Sequence, residues 1–202
     1  MFIQTIKLKK NKANQFTVTT PAGEFDFYGD VIVKNGIKTG EVADNVFYLS
    51  LDESAVLIAI EKATTYLSGR LKTEKQVKDY LYKQGYKSTV VKTVLNKLKD
   101  YNLVDDSVYA ESYIRSNPNY SKNKLKQKLA GFGVKSDLAD SLTQELTDET
   151  SCLKNAQKYL KNKTIDRVTI EKLTRRLLGM GYNWDTIKST LNQLKFNEED
   201  FN

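Results

Sequence analysis

Histidine is absent from this 202-residue chain, and cysteine occurs once, as Cys152. The first absence removes the commonest acid–base catalyst and metal ligand together. The second excludes an internal disulfide and any multi-cysteine zinc site. Proline is scarce, with only Pro21 and Pro118. Long apolar runs are missing too: the longest, residues 55–60, is far too short to cross a bilayer. The first residues, Met1-Phe2-Ile3-Gln4-Thr5, lead into lysines rather than a signal peptide's apolar core, so a cytoplasmic location with no membrane partner is expected. Nucleotide signatures are lacking: no glycine-lysine-threonine or glycine-lysine-serine run occurs. Gly179-Met180-Gly181 lacks the third glycine of a dinucleotide fingerprint and follows a helical pattern rather than a strand. The carboxylate groups Asp105-Asp106 and Glu198-Glu199-Asp200 read as a helix cap and a tail. A non-enzymatic protein with no cofactor and no metal is expected.

What is present is charge, at 28% of residues, with a net +7 that is unevenly spread. Residues 1–52 carry six basic and six acidic side chains. The whole excess lies beyond them: residues 53–100 hold ten basic against five acidic, residues 101–148 six against seven, and residues 149–202 ten against seven. A basic half-molecule attracts polyanions such as nucleic acid or an acidic protein face, although a moderate excess also serves plain solubility.

The neutral segment reads as β structure. Phe2-Ile3-Gln4-Thr5-Ile6-Lys7-Leu8 and Phe16-Thr17-Val18-Thr19 partly alternate, and Pro21-Ala22-Gly23 makes a turn before Phe25-Asp26-Phe27-Tyr28. Asp30 is expected to cap a short helix closed by Gly36, Lys38-Thr39-Gly40 to form a second turn, and Val46-Phe47-Tyr48-Leu49 to form a further strand.

From Leu51 onward the pattern is helical and repeats itself. Leu81, Leu129 and Leu177 are spaced by 48 residues, as are Gly85, Gly133 and Gly181, and again Leu98, Leu146 and Leu194. Each copy holds three helical segments. They are 55–68, 73–84 and a Ser88-capped helix with Val91, Val94, Leu95 and Leu98; then 107–115, 122–132 and a Ser136-capped helix with Leu138, Leu142 and Leu146; then 152–160, 166–180 and a helix with Ile187, Leu191 and Leu194. The glycine ends each middle helix, because a left-handed residue without a Cβ reverses the chain cheaply. The expected fold is mainly α: a β-rich N-terminal module (1–52), then three-helix repeats at 53–102, 103–148 and 149–202, strung into an elongated, curved array.

At Leu103-Val104-Asp105-Asp106-Ser107-Val108-Tyr109-Ala110-Glu111-Ser112-Tyr113-Ile114-Arg115 the chain resembles the signature of the RecX family. Tyr66-Leu67-Ser68-Gly69-Arg70-Leu71-Lys72-Thr73-Glu74, with Val77 and Leu81, is similar to that family's first-repeat pattern, and the β-rich segment to the extension of its Gram-positive members. Where family members often carry a glycine-containing basic turn, this chain has Ser116-Asn117-Pro118-Asn119-Tyr120. The resemblance implies a monomeric regulator that binds the filament of RecA recombinase on single-stranded DNA and lowers its ATPase, strand-exchange and co-protease activities. Read from residues alone, Asp105 or Asp106 caps a helix whose Tyr109, Ala110 and Tyr113 share a packing face.

The candidate binding surface is basic. Lys122, Lys124, Lys126 and Lys128 alternate around Leu125 and Leu129, which face the core, so the lysines fan over the exposed sides. A solvated helix face and a phosphate or acidic-surface contact both fit them. Arg70, Lys72, Lys75 and Lys78 extend the surface into the first repeat, and Arg175 and Arg176 into the third, where one of the pair is expected to snorkel over the core. Tyr80, Tyr113 and Tyr159 lie at core spacing, and Trp184 beside Gly181 is a candidate staple for the last helix. Each repeat also imitates a helix-turn-helix, so a sequence-specific DNA-binding transcriptional regulator is the rival reading.

Overall fold

A computed structural model describes residues 1–194; the acidic tail at Glu198-Glu199-Asp200 lies outside them. Two compact units result, Met1–Asp105 and Asp106–Asn202.

The first unit opens with β1 (Phe2–Ile3), β2 (Thr5–Leu8), β3 (Gln15–Thr20) and β4 (Gly23–Tyr28). β2, β3 and β4 form an antiparallel meander in which Phe16 pairs with Phe27 and Val18 with Phe25. The Thr20 hydroxyl ties the Pro21-Ala22 turn by accepting from the Ala22 N–H at 3.1 Å and donating to the Gly23 carbonyl at 3.2 Å. α1 (Gly29–Lys34) follows, closed by Gly36 at φ +63°. Asp30 does not cap α1. It sits in the first turn, where its carboxylate accepts from Asn14 at 3.1 Å. β5 (Gly40–Glu41) then pairs with β1.

The expected strand at Val46-Phe47-Tyr48-Leu49 is instead the start of α2 (Asp44–Leu67), a 24-residue helix that continues through the expected helix at 55–68. Its buried positions run Phe47, Ser50, Ser54, Ile58, Ala59 and Ala63, a helical spacing. Two serines hid that stripe. Ser50 is buried because its hydroxyl donates to the Val46 carbonyl at 2.7 Å and accepts from Asn35 at 2.9 Å. Phe47 completes the β module's core, meeting Phe25 edge-on at 5.4 Å between ring centroids and Phe27 at 5.3 Å, beside Ile3, Val18 and Ile37.

The far end of α2 packs with α3 (Glu74–Lys83) and α4 (Ser88–Asp100) around Ala59, Ala63, Val77, Leu81, Val91, Val94 and Leu98. In the second unit α5 (Asp106–Ser116), α6 (Lys122–Gly131) and α7 (Ser136–Thr143) enclose Ala110, Leu129, Val134 and Ala139. Tyr109 and Tyr113 of α5 stack against each other and set their rings edge-on to Phe132. α8 (Asp148–Leu160), α9 (Arg167–Gly179) and α10 (Trp184–Gln193) enclose Cys152, Ala156, Ile170, Leu173, Leu177, Ile187 and Leu191.

The 48-residue register is realised as one repeated turn. Gly85, Gly133 and Gly181 have φ of +84°, +92° and +90°. In each copy the residue after the glycine donates back to the leucine carbonyl: Tyr86 to Leu81 at 3.3 Å, Val134 to Leu129 at 3.0 Å, and Tyr182 to Leu177 at 3.3 Å. The glycine itself donates to Tyr82, Ala130 and Leu178, each at 2.9 Å. This is the Schellman closure of a helix, made three times.

Three local expectations are corrected. Ser88 and Ser136 are the first helical residues, not caps; Lys87 and Lys135 occupy the cap position without a side-chain bond. In the third copy the same position is Asn183, which does cap, accepting from the Thr186 N–H at 2.7 Å. Leu146 is exposed, because α7 stops after eight residues and Ala139 and Thr143 take the buried face.

Candidate nucleoprotein-binding surfaces

In the first unit the four candidate cations gather around the start of α3. Thr73 anchors that helix through a capping box, accepting from the Gln76 N–H at 3.2 Å while the Gln76 side chain accepts from the Thr73 N–H at 3.1 Å. Arg70 projects from the preceding turn, and Lys75 and Lys78 from α3 itself, all exposed. Lys72 is half-buried, its ammonium 4.9 Å above the ring of Tyr66, which stacks on Tyr80 at 4.2 Å. Lys78 lies 6.0 Å from the exposed Tyr82 ring. Lys75, Lys78 and Tyr82 are spaced i, i+3, i+7, so they share one stripe.

The positive field here has a cause that the charge count alone conceals. Glu53 is held by Lys34 at 2.7 Å, and Glu61 by Lys12 at 3.1 Å and Gln15 at 2.7 Å. Both carboxyls are pushed below their usual range, Glu53 chiefly by the Lys34 bond and Glu61 chiefly by the Gln15 bond. Glu74 pairs with Lys99 at 2.7 Å. Glu53 and Glu61 are thus engaged by bases of the β module, and Glu74 by a base of α4.

The four α6 lysines do not act as one exposed face. Lys122 donates from its ammonium to the Gln144 carbonyl at 3.0 Å, and its backbone N–H donates to Asp148 at 2.7 Å. Lys126 pairs with Asp140 of α7 at 2.5 Å. The stem of Lys124 packs on the Gly181 turn, where a Cβ added to the glycine would lie 2.6 Å from the Lys124 Cβ. Lys128 is the exposed member, the other three being half-buried. The 200° between alternate residues puts Lys122 and Lys126 on one flank and Lys124 and Lys128 on the other.

On α9 both arginines are exposed, and one of them, Arg176, lies over a tyrosine at the edge of the core. Arg176 reaches over Tyr159 at 5.8 Å, and Arg175 lies 3.6 Å from Glu171. Trp184 is no staple: it is the first residue of α10 and 56% exposed. Tyr80, Tyr113 and Tyr159 pack against their cores as expected.

A feature that the sequence did not signal is a cleft of about 500 Å³ within the second unit, lined in part by Arg115, Tyr120, Leu125, Asp148, Lys154 and Asn155. Its wall is the Ser116-to-Tyr120 loop. That loop is held by Tyr182, whose hydroxyl donates to the Asn119 carbonyl at 3.1 Å, and by Asn155, which donates to Tyr182 at 3.0 Å. Cys152 is buried beside it, and burial pushes its thiol upward. Among the described residues no group of three or more histidine, cysteine, aspartate or glutamate side chains is placed to hold a metal ion. No described helix is long and apolar enough to cross a membrane.

Known proteins share this arrangement. A crystal structure titled regulatory protein RecX superposes with a TM-score of 0.66 over 95% of this chain and 98% of its own, at 19% identity, which establishes a common fold. Residues 59–98 match the family model described as RecX, first three-helix domain. The curated "Regulatory protein RecX" of Clostridium perfringens (strain 13 / Type A) is 31% identical over 206 aligned residues, covering 97% of both chains. The chain belongs to the RecX family. Within it, the RecX of Streptococcus mutans is 34% identical over 65% of this chain. The crystal structure of RecX from Lactobacillus salivarius superposes at a TM-score of 0.58 over 70% of this chain, at 25% identity. The RecX likeness to the Clostridium protein spans the β module as well as the helices, so the N-terminal segment is part of the shared protein.

Proposed function

We propose that this chain regulates RecA in the cytoplasm by binding the RecA–single-stranded DNA filament as a monomer and restraining it. The observation that carries the reading is the end-to-end likeness to curated regulatory RecX proteins. Occupying the filament groove lowers ATP hydrolysis, strand exchange and co-protease activity, because the same groove must receive a second DNA strand. Basic side chains speed approach, while the fit of the helical repeats supplies specificity. Arg70, Lys72, Lys75 and Lys78 serve as the binding cations of the first unit, Lys128, Arg175 and Arg176 as those of the second, and Lys122, Lys124 and Lys126 act mainly through the structure they support.

The test is a titration of RecA ATPase on single-stranded DNA with this protein. Inhibition should saturate with increasing regulator, and bare DNA should bind weakly, without sequence preference and with steep salt dependence. Undiminished ATPase at saturation, or protection of one defined duplex sequence, would overturn the reading in favour of a transcriptional regulator.

A further inference from the structure

The 48-residue register places three chemically different rows of side chains on one framework. The outward positions of the middle helix, together with the first residue of the last helix, correspond across the copies. The first copy has Lys75, Asp79, Tyr82 and Ser88; the second has Asn123, Gln127, Ala130 and Ser136; the third has Glu171, Arg175, Leu178 and Trp184. Val168 continues the third row one step upstream, where the first copy has Lys72 and the second has Tyr120. Folding does not require these differences, since all three copies make the same glycine closure and the second makes it with Asn123, Gln127, Ala130 and Ser136 in the row.

The third row is apolar where the others are not. Val168, Leu178 and Trp184 are about half exposed, and Glu171, Thr174, Arg175 and Trp184 line a hollow of about 290 Å³. Steps of i+3 and i+4 along α9 join Val168, Glu171, Arg175 and Leu178 into one stripe. The stripe itself sets Arg175 against Glu171 at 3.6 Å, with Arg167 also on Glu171 at 3.3 Å; with its flanks included, Arg167, Lys172, Arg175 and Arg176 stand against Asp166, Glu171 and Asp185, an excess of one positive charge.

We infer that this row is a protein-docking surface, fitted to an acidic partner segment that inserts an apolar side chain beside Trp184. Tryptophan and arginine around a hollow, edged by aliphatic side chains, make the composition that concentrates binding energy between proteins. The excess of cations selects an acidic counterpart. Valine and leucine offer nothing to a phosphate or a base face, whereas the first copy has Lys72, Lys75 and Tyr82 at the matching positions, a set suited to a nucleic-acid strand. A second copy of this chain fits poorly, because an isologous pairing would set α9 cations against α9 cations. The inference rests on the filament reading for its partner, with repeat 3 meeting the protein part of the filament rather than its DNA.

The test exchanges the apolar positions of the third row for those of the second: Leu178→Ala and Trp184→Ser together introduce the residues that the fold already accepts at Ala130 and Ser136. Affinity is measured for RecA filaments on single-stranded DNA and, separately, for the bare strand. Filament affinity should fall about tenfold or more, while bare-strand affinity stays within about twofold. Trp184 is the chain's single tryptophan, so its emission should also stay unquenched when bare poly-thymidine strand is added. Unchanged filament binding overturns the inference. Parallel losses on filament and bare strand, or quenching by the strand, assign the row to nucleic acid instead. A dimer of the parent chain that the exchange dissolves assigns it to self-association. If the parent chain itself ignores the filament, the filament reading fails and this inference falls with it.

Discussion

The hydroxyl of Ser121 donates to the carbonyl of Gly181 at 2.6 Å, joining the second and third helical repeats at a fully buried point. The same oxygen accepts from the Lys124 N–H at 3.1 Å, and the Ser121 N–H donates to the Met180 carbonyl at 3.0 Å. One residue thus caps α6 and fastens it to the turn that closes α9. Ser121→Ala removes the cap and leaves the Gly181 carbonyl short of a donor. Denaturant unfolding should show a loss of about 1–3 kcal/mol. A change within experimental error would mean that the junction carries no stability.

Gly85 and Gly181 share their left-handed φ but not their surroundings. A Cβ at Gly85 meets open space, whereas at Gly181 it would lie 2.6 Å from the Lys124 Cβ and 2.7 Å from the Ser121 hydroxyl. Gly85→Ala should therefore cost only the backbone penalty, about 1–2 kcal/mol. Gly181→Ala should cost clearly more and loosen the second unit. Equal melting temperatures for the two variants would contradict the packing described.

Phe47 belongs to a helix yet fills the core of the β module. Phe47→Ala should destabilise the first unit by about 3–5 kcal/mol. Amide exchange in β3 and β4 should accelerate along with exchange in α2, because one side chain couples them. Fast exchange in α2 with protected strands would show the coupling to be absent.

Stability should be nearly flat between about pH 5 and pH 8, since the chain has no histidine. Below that window Glu53, Glu61 and Asp166 matter, all with folded pKa values lowered: by the Lys34 bond, the Gln15 bond and the Thr169 side-chain bond respectively. Their contribution is present above the unfolded carboxyl value of about 4 and is lost as pH falls through the lower folded value. Above the window Cys152, Tyr86, Tyr113 and Tyr182 are raised, in each case chiefly by burial. The folded state favours their protonated forms, so stability declines from about pH 9 to 10 upward, as the unfolded groups begin to ionise. Thermal unfolding at stepped pH checks this, and a sharp change near pH 6.5 would refute it.

Neutralising Lys122, Lys124 and Lys126 should disturb α6 packing as well as any binding, given the Gln144, Gly181 and Asp140 contacts. Removing Arg70, Lys75 and Lys78 should weaken filament inhibition with little change in melting temperature, because all three are exposed. If the α6 changes prove thermally silent and abolish inhibition, while the α3 changes do nothing, the binding surface lies on α6.

Periodicity made much of this molecule readable. The 48-residue spacing of leucine and glycine located three helix closures, since only a residue lacking a Cβ takes that turn without strain. The β3–β4 hairpin was equally plain from alternation around Pro21-Ala22. Reading failed where a side chain's role depends on distant partners. Val46-Phe47-Tyr48-Leu49 has the composition of a strand, and its helical face shows only once Phe47, Ser50 and Ser54 are seen to be buried together. Leu146 keeps the register but loses the core, because α7 ends early.

Local preferences determined the succession of helices, the glycine turns and the mainly helical class. Those depend on backbone geometry and composition, which each segment carries within itself. Tertiary packing decided which charges stay available: Lys126 is spent on Asp140, and Lys12 and Lys34 on the carboxylates of α2. A count of lysines cannot show this, because whether a charge is free depends on what folding places within a few ångströms of it.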